Sequence, residues 1–217
     1  MISIIKLNVL KKINDPWLPS AIIILFHCIG AVGMLFAPVY FLKLSVFNLV
    51  LSAIMLFWKS ELKPIHYLVV VNVALLAFFI EVLGVYTGFP FGDYYYGTNL
   101  GPRLLNVPLV IGINWIMLLY ACHVILRKQS FYVSVVGASL LMVILDVVIE
   151  QSVHIMGFWF WKDNHIPMTN YVAWFCISLL FSFYIRKKLP LKENQAALTL
   201  YVTQFIFFLF CLYVFRD

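Results

Sequence analysis

Three side chains able to exchange protons, Asp146, Glu150 and His154, stand four residues apart in an otherwise apolar stretch. On an α-helix, positions i, i+4 and i+8 share one face, so the spacing predicts a narrow polar stripe. At a rise of 1.5 Å per residue, that stripe would start near a membrane surface and reach about 15 Å deep. Glu81 falls about one turn inside the end of a second apolar stretch, and Asn114 about two turns inside a third. Charged groups within a span are costly, and by default they mark function, pairing or a water-filled cavity. The plainer alternative is an interhelical hydrogen-bond network that only holds helices together. The chemistry on offer is acid–base: an acid shielded from water resists ionisation and can serve as a general acid, while a second carboxylate orients water. With one histidine near the acids, and Cys28, Cys122, Cys176 and Cys211 scattered singly, no metal site is expected.

The elements that must hold these groups follow from composition. Of the 217 residues, 64% are hydrophobic and 11% charged, with a mean hydropathy of +0.99. Soluble domains are about 25% charged, and a water-soluble fold cannot hide this much apolar surface. Apolar runs near the length needed to cross hydrocarbon cover Leu18 to Phe36, Val39 to Phe57, Ile65 to Val85, Val107 to Leu126, Phe131 to Met156, Tyr171 to Ile185 and Ala196 to Phe215. The expectation is an all-α polytopic membrane bundle of about seven transmembrane helices, forming a single domain over residues 1–217.

The net charge of +6 does not point to nucleic acid, because the basic residues sit in short clusters between apolar runs. Lys11 and Lys12, Lys59 and Lys63, Arg127 and Lys128, and Arg186 to Lys188 fall on one side, against Arg103, Lys162 and Arg216 on the other. Cytoplasmic loops carry the basic excess, so the N-terminus is expected inside and the C-terminus outside. Both chemically rich loops, Tyr86 to Asn106 and Gly157 to Thr169, then share the outer face.

Those loops also resemble each other. Glu81 precedes Gly88-Phe89-Pro90-Phe91 by seven residues, and Glu150 precedes Gly157-Phe158-Trp159-Phe160 by seven. An acid follows each, Asp93 and Asp163, and Pro108 and Pro167 each precede a tryptophan, Trp115 and Trp174, by seven. The reading is an internal parallel repeat of spans three and four in spans five and six, with a site at the interface. The runs Tyr94-Tyr95-Tyr96 and Phe158-Trp159-Phe160-Trp161 suit interfacial anchoring first, and aromatic faces also stabilise a cation.

The segment from Gly88 to Tyr96, with Leu100-Gly101-Pro102 and Val107-Pro108, resembles the membrane carotenoid biosynthesis family that includes ψ-end hydratases. Gly157 to Trp161 and Ile166-Pro167 with Asn170 fit the same likeness, which covers about Glu81 to Trp174. The resemblance implies a lipophilic carotenoid with an acyclic end group as substrate and a tertiary alcohol as product. It supplies no proven catalytic residues.

A terminal trisubstituted alkene needs only a positioned acid to give a tertiary carbocation and a water to trap it, so no cofactor is expected. In this scheme Glu150 or Asp146 delivers the proton and Glu81 or Asp93 positions the water. Tyr95, Trp159, Asn114, His154, Trp115 and Asn170 are the candidate substrate-binding residues. Alternatives are a lycopene-type cyclase, which shares the protonation step, and a non-catalytic pigment-binding protein or transporter. The expected location is the cytoplasmic membrane of a bacterium, in contact with the lipid bilayer.

Overall fold

A computed structural model describes residues 15–58 and 60–215. Eight helices make up most of the described chain: α1 (Leu18–Phe36), α2 (Pro38–Lys43), α3 (Ser45–Trp58), α4 (Pro64–Thr87), α5 (Val110–Ile125), α6 (Phe131–Glu150), α7 (Met168–Lys188) and α8 (Gln195–Val214). Between α4 and α5 lie three short strands, β1 (Tyr94–Tyr96), β2 (Arg103–Leu104) and β3 (Val107–Pro108), and between α6 and α7 lies β4 (Trp159–Trp161). Helices α1, α4, α6, α7 and α8 are long and apolar enough to cross a membrane.

The packing is inside-out relative to a soluble protein. On α6, Tyr132, Val133, Val136, Leu140, Ile144 and Val147 are exposed, whereas Ser134, Ser139, Asp146 and Glu150 are buried. Buried Val135, Ala138, Met142 and Leu145 share the face of the two acids. This is the 3.6-residue period of a helix whose apolar outer face suits hydrocarbon and whose polar groups find partners within the bundle. α4 repeats it, with Leu75, Leu76 and Phe79 exposed and Val73, Ala77 and Glu81 buried, whereas α5 is buried on nearly all sides. Small residues bring backbones close: a side chain at Gly112 of α5 would strike the Ala74 carbonyl of α4.

Several expected spans are reshaped. The second is interrupted at Leu44, whose amide is shared between the Tyr40 and Phe41 carbonyls, 3.2 and 3.1 Å away, leaving six-residue α2 and fourteen-residue α3. The fourth begins later than expected, because Val107–Pro108 pairs with Arg103–Leu104 in a small antiparallel hairpin before α5 starts. The fifth ends at Glu150, and residues 151–157 form turns. His154 therefore leaves the predicted stripe and is exposed, while Asp146 and Glu150 keep theirs.

The basic loops gather at one end of the bundle. Arg127 pairs with Glu193 at 3.0 Å, and the Arg186 guanidinium donates to the Gln129 carbonyl at 3.1 Å. Of the basic residues behind the expected sidedness, Lys11, Lys12, Lys59 and Arg216 lie outside the described residues.

At the other end, β1 and β4 form an antiparallel ribbon in the register Tyr94 to Trp161, Tyr95 to Phe160 and Tyr96 to Trp159. The Gly97 amide donating to the Phe158 carbonyl at 2.7 Å, and the Lys162 amide donating to the Asp93 carbonyl at 3.0 Å, extend it at both ends. The Asn99 side chain donates to the Met156 carbonyl, and Thr169 to the Phe91 carbonyl, at 2.8 and 2.9 Å. The two loops that look alike in sequence are thus bound into one cap, with Tyr94–Tyr96 pairing against Trp159–Trp161.

Candidate active site

Each carboxyl is delivered by the end of a helix, and its hydrogen-bond donors by the strand that follows. α4 carries Glu81 six residues before its last residue, then stops at Gly88. Gly88 takes the left-handed conformation (φ 73°) that glycine adopts without steric penalty and returns its amide to the Gly84 carbonyl at 2.8 Å. α6 ends on Glu150 itself, and the turns after it lead into β4. In a paired strand alternate residues face the same way, so Tyr94, Tyr96, Trp159 and Trp161 all point from the ribbon into the bundle, and Tyr95 and Phe160 point out.

Glu81 is 4% exposed and fully coordinated. Its Oε2 accepts from the Tyr94 hydroxyl at 2.6 Å and the Tyr96 hydroxyl at 2.8 Å, and its Oε1 from the Trp115 indole at 2.9 Å. Burial and the adjoining Glu81 carboxylate push both phenols well above their ordinary range, which keeps them protonated. Glu150, 2% exposed, accepts from indoles and an amide, with no phenol among its donors in the described residues. Trp161 donates to its Oε2 at 2.8 Å, Trp159 lies 3.3 Å from both oxygens, and the Asn170 amide reaches Oε1 at 3.2 Å. The same Asn170 nitrogen donates to Asp146 Oδ2 at 3.0 Å, so it bridges the two acids of α6.

Glu81 and Glu150 line one cavity with a water-accessible volume of about 50 Å³, room for water molecules in an otherwise aromatic chamber. Its roof is the cap: Phe91, Tyr94, Tyr96, Leu100, Phe158, Trp159 and Trp161. Its walls include Leu49 of α3, Asn114 and Trp115 of α5, Asn170 and Trp174 of α7, and Gln204 and Phe208 of α8. The Trp115 and Trp174 rings stack with centroids 4.1 Å apart and planes 21° apart, packing α5 against α7. A second, mainly apolar cavity of about 210 Å³ lies between α1, α2, α3 and α8. Asn48 and Phe207 line it, and their chain neighbours Leu49 and Phe208 line the first.

The structure gathers Glu81, Glu150, Trp159, Asn114, Trp115 and Asn170 around this chamber. Asp146 is fully buried one turn behind Glu150. Asp93 lies outside it, exposed in an ion pair with Lys162 at 3.3 Å. Tyr95 is 51% exposed on the outer face of the ribbon, stacked on Phe160, because it is the middle residue of a three-residue strand. His154 lines a separate outer recess that Glu150 also touches. The sequence pointed to Tyr94, Tyr96 and Trp161 only as members of aromatic runs, and not at all to Gln204. Alternation within two aromatic triplets was the available signal for the first three, and a lone amide midway along an apolar helix was the signal for Gln204.

Residues 38–216 match the family described as "Carotenoid biosynthesis protein". The chain belongs to this family. Over 130 residues it is also 28% identical to a bisanhydrobacterioruberin hydratase from Haloarcula japonica, an alignment covering 54% of this chain and 44% of the relative. The match therefore spans less than half the length of that protein. No solved structure matches the chain. The matched family region contains the whole cavity lining, both carboxyls and the ribbon included.

Proposed function

We propose that this protein is a carotenoid hydratase that adds water to the terminal double bond of an acyclic ψ end group. The observation that carries the reading is the convergence of two carboxyl groups, Glu81 and Glu150, on one aromatic-walled cavity with room for water. The activity named for the Haloarcula relative supports hydration over ring closure.

In the proposed reaction, the Glu150 carboxylic acid gives its proton to the less substituted alkene carbon. The π electrons form the new C–H bond and leave a tertiary carbocation. Water attacks that carbon, and its surplus proton passes to the Glu81 carboxylate. The pair resets when a proton moves from Glu81 back to Glu150, so the net change is alkene plus water to tertiary alcohol.

The donors support this division of labour. Indole and amide N–H groups only donate, and they are already aimed at the anion that Glu150 becomes when it releases its proton. Phenols both donate and accept, so Tyr94 and Tyr96 can stay bonded to Glu81 whether or not it carries the proton. Trp159, Trp115 and Trp174 supply π faces to a cation formed between the carboxyls. Asp146 acts through Asn170, holding the amide that orients Glu150.

Expression in cells that accumulate lycopene or another acyclic carotenoid tests the reading by mass spectrometry of the pigments. Hydration adds the mass of one water per reacting end. A product of unchanged mass with a new ring would assign cyclisation instead, and unchanged pigment across a set of acyclic carotenoids would refute the enzyme.

A further inference from the structure

Gln204 is the tenth of the twenty residues of α8, near the middle of the helix, and it is 2% exposed. It lines the same cavity as Glu81 and Glu150. Its Oε1 has no hydrogen-bond donor among the described residues. The other buried polar atoms in that condition include Asn48 Oδ1, whose residue lines the second cavity, and Asp146 Oδ1, one turn behind Glu150; none of their residues lines this one. A buried amide oxygen left without a donor is unfavourable and uncommon, so where one lines a chamber it indicates a guest that brings an O–H or N–H.

The rest of the lining narrows the guest. Apart from the two carboxyls with their bonded donors, Gln204, Asn114 and the Trp174 indole line the chamber without a hydrogen bond among the described residues. A hydrocarbon end group satisfies neither amide. A small O–H compound satisfies both, and the chamber has room for it.

We propose that Gln204 is the seat of the water consumed in the reaction, with Oε1 accepting one O–H bond. The inference rests on the hydratase reading. Held this way, the water keeps a lone pair for the tertiary carbocation and its second O–H for Glu81. The C–O bond forms from that lone pair, and the proton released goes to the Glu81 carboxylate. Without the seat the cation still forms but is captured poorly. It then gives a proton from carbon back to the Glu150 carboxylate and returns to an alkene, either the original one or its isomer with a terminal methylene.

The test uses membranes containing the full chain, lycopene or another acyclic carotenoid, and D2O as solvent. Gln204→Met preserves the length of the side chain and removes its polar atoms, and Gln204→Asn restores an amide. For Gln204→Met we expect hydration to fall at least about tenfold, the effect of one lost hydrogen bond, while deuterium continues to enter the unhydrated carotenoid. Gln204→Asn is expected to recover most of the hydration. Normal hydration by Gln204→Met overturns the proposal and leaves the hydratase reading standing. Loss of hydration and deuterium entry together, or failure of the variant to insert, assigns Gln204 to substrate binding or structure and also overturns it. A wild type that neither hydrates nor exchanges removes the hydratase reading itself.

Discussion

Acidic side chains meet opposite treatment at the surface and in the interior of this protein. Asp93 and Glu193 sit in exposed ion pairs with Lys162 and Arg127, where water competes for both partners. Glu81 and Glu150, each twelve residues before a member of the Asp93–Lys162 pair, receive no basic partner among the described residues and are held instead by phenol, indole and amide groups. A lysine beside a buried carboxylate would neutralise it permanently. Neutral donors leave it free to gain and lose a proton while keeping its position. The difference separates charges that mainly keep the protein soluble at its ends from those that can do chemistry.

The sharpest way to break this contrast is to make the interior acids amides. Glu150→Gln keeps the size of the side chain but cannot deliver a proton, so a fully inserted variant should lose at least about a hundredfold in hydration, the lower range for general acid catalysis. Glu150→Asp should retain some turnover. Near-normal product from Glu150→Gln in the mass assay would exclude it as the acid and leave Asp146 or Glu81 for that role.

A smaller effect separates neighbours on one strand. Tyr96→Phe removes a hydrogen bond to Glu81 and should slow hydration by about tenfold, consistent with one bond to a charged group. Tyr95→Phe should leave the rate unchanged, since its ring faces outward. Equal losses at both positions would contradict the alternation of the ribbon.

The smallest effect belongs to the surface. Lys162→Met should change stability by less than about 1 kcal/mol and leave product formation intact, as expected for an exposed pair. A large loss of activity would give Asp93 the role in the site that its position outside the chamber argues against.

Much of this site could be read from residue types alone. Acids inside apolar runs have few roles, and Glu81, Asp146 and Glu150 stood out for that reason. Trp115 and Asn170 followed from the repeated spacing and the family likeness. The ribbon was not legible, because three-residue strands are too short to show a period and exist only through pairing with a segment 65 residues away. The apparent stripe to His154 assumed a helix that runs on to Met156. Nothing in Gln151 to Met156 forbids helix, but Gly97 and Asn99 of the other loop hold the Phe158 and Met156 carbonyls and draw the chain away into the cap. Gln204 went unnoticed for a different reason: one amide in an apolar helix has several ordinary explanations until its neighbours in space are known.

The aromatic cap has a kinetic consequence under the proposed function. Under that reading the carotenoid reaches the chamber from the membrane, since the ribbon of Tyr94, Tyr96, Trp159 and Trp161 roofs it and residues of the apolar helices α3 and α8 are among its walls. Such a reactant is dissolved in the membrane and never counted per litre of buffer. Its effective concentration is a mole fraction of lipid, so diluting a vesicle suspension with buffer would leave the turnover of each enzyme unchanged. Fusing the same vesicles with pigment-free lipid would lower it.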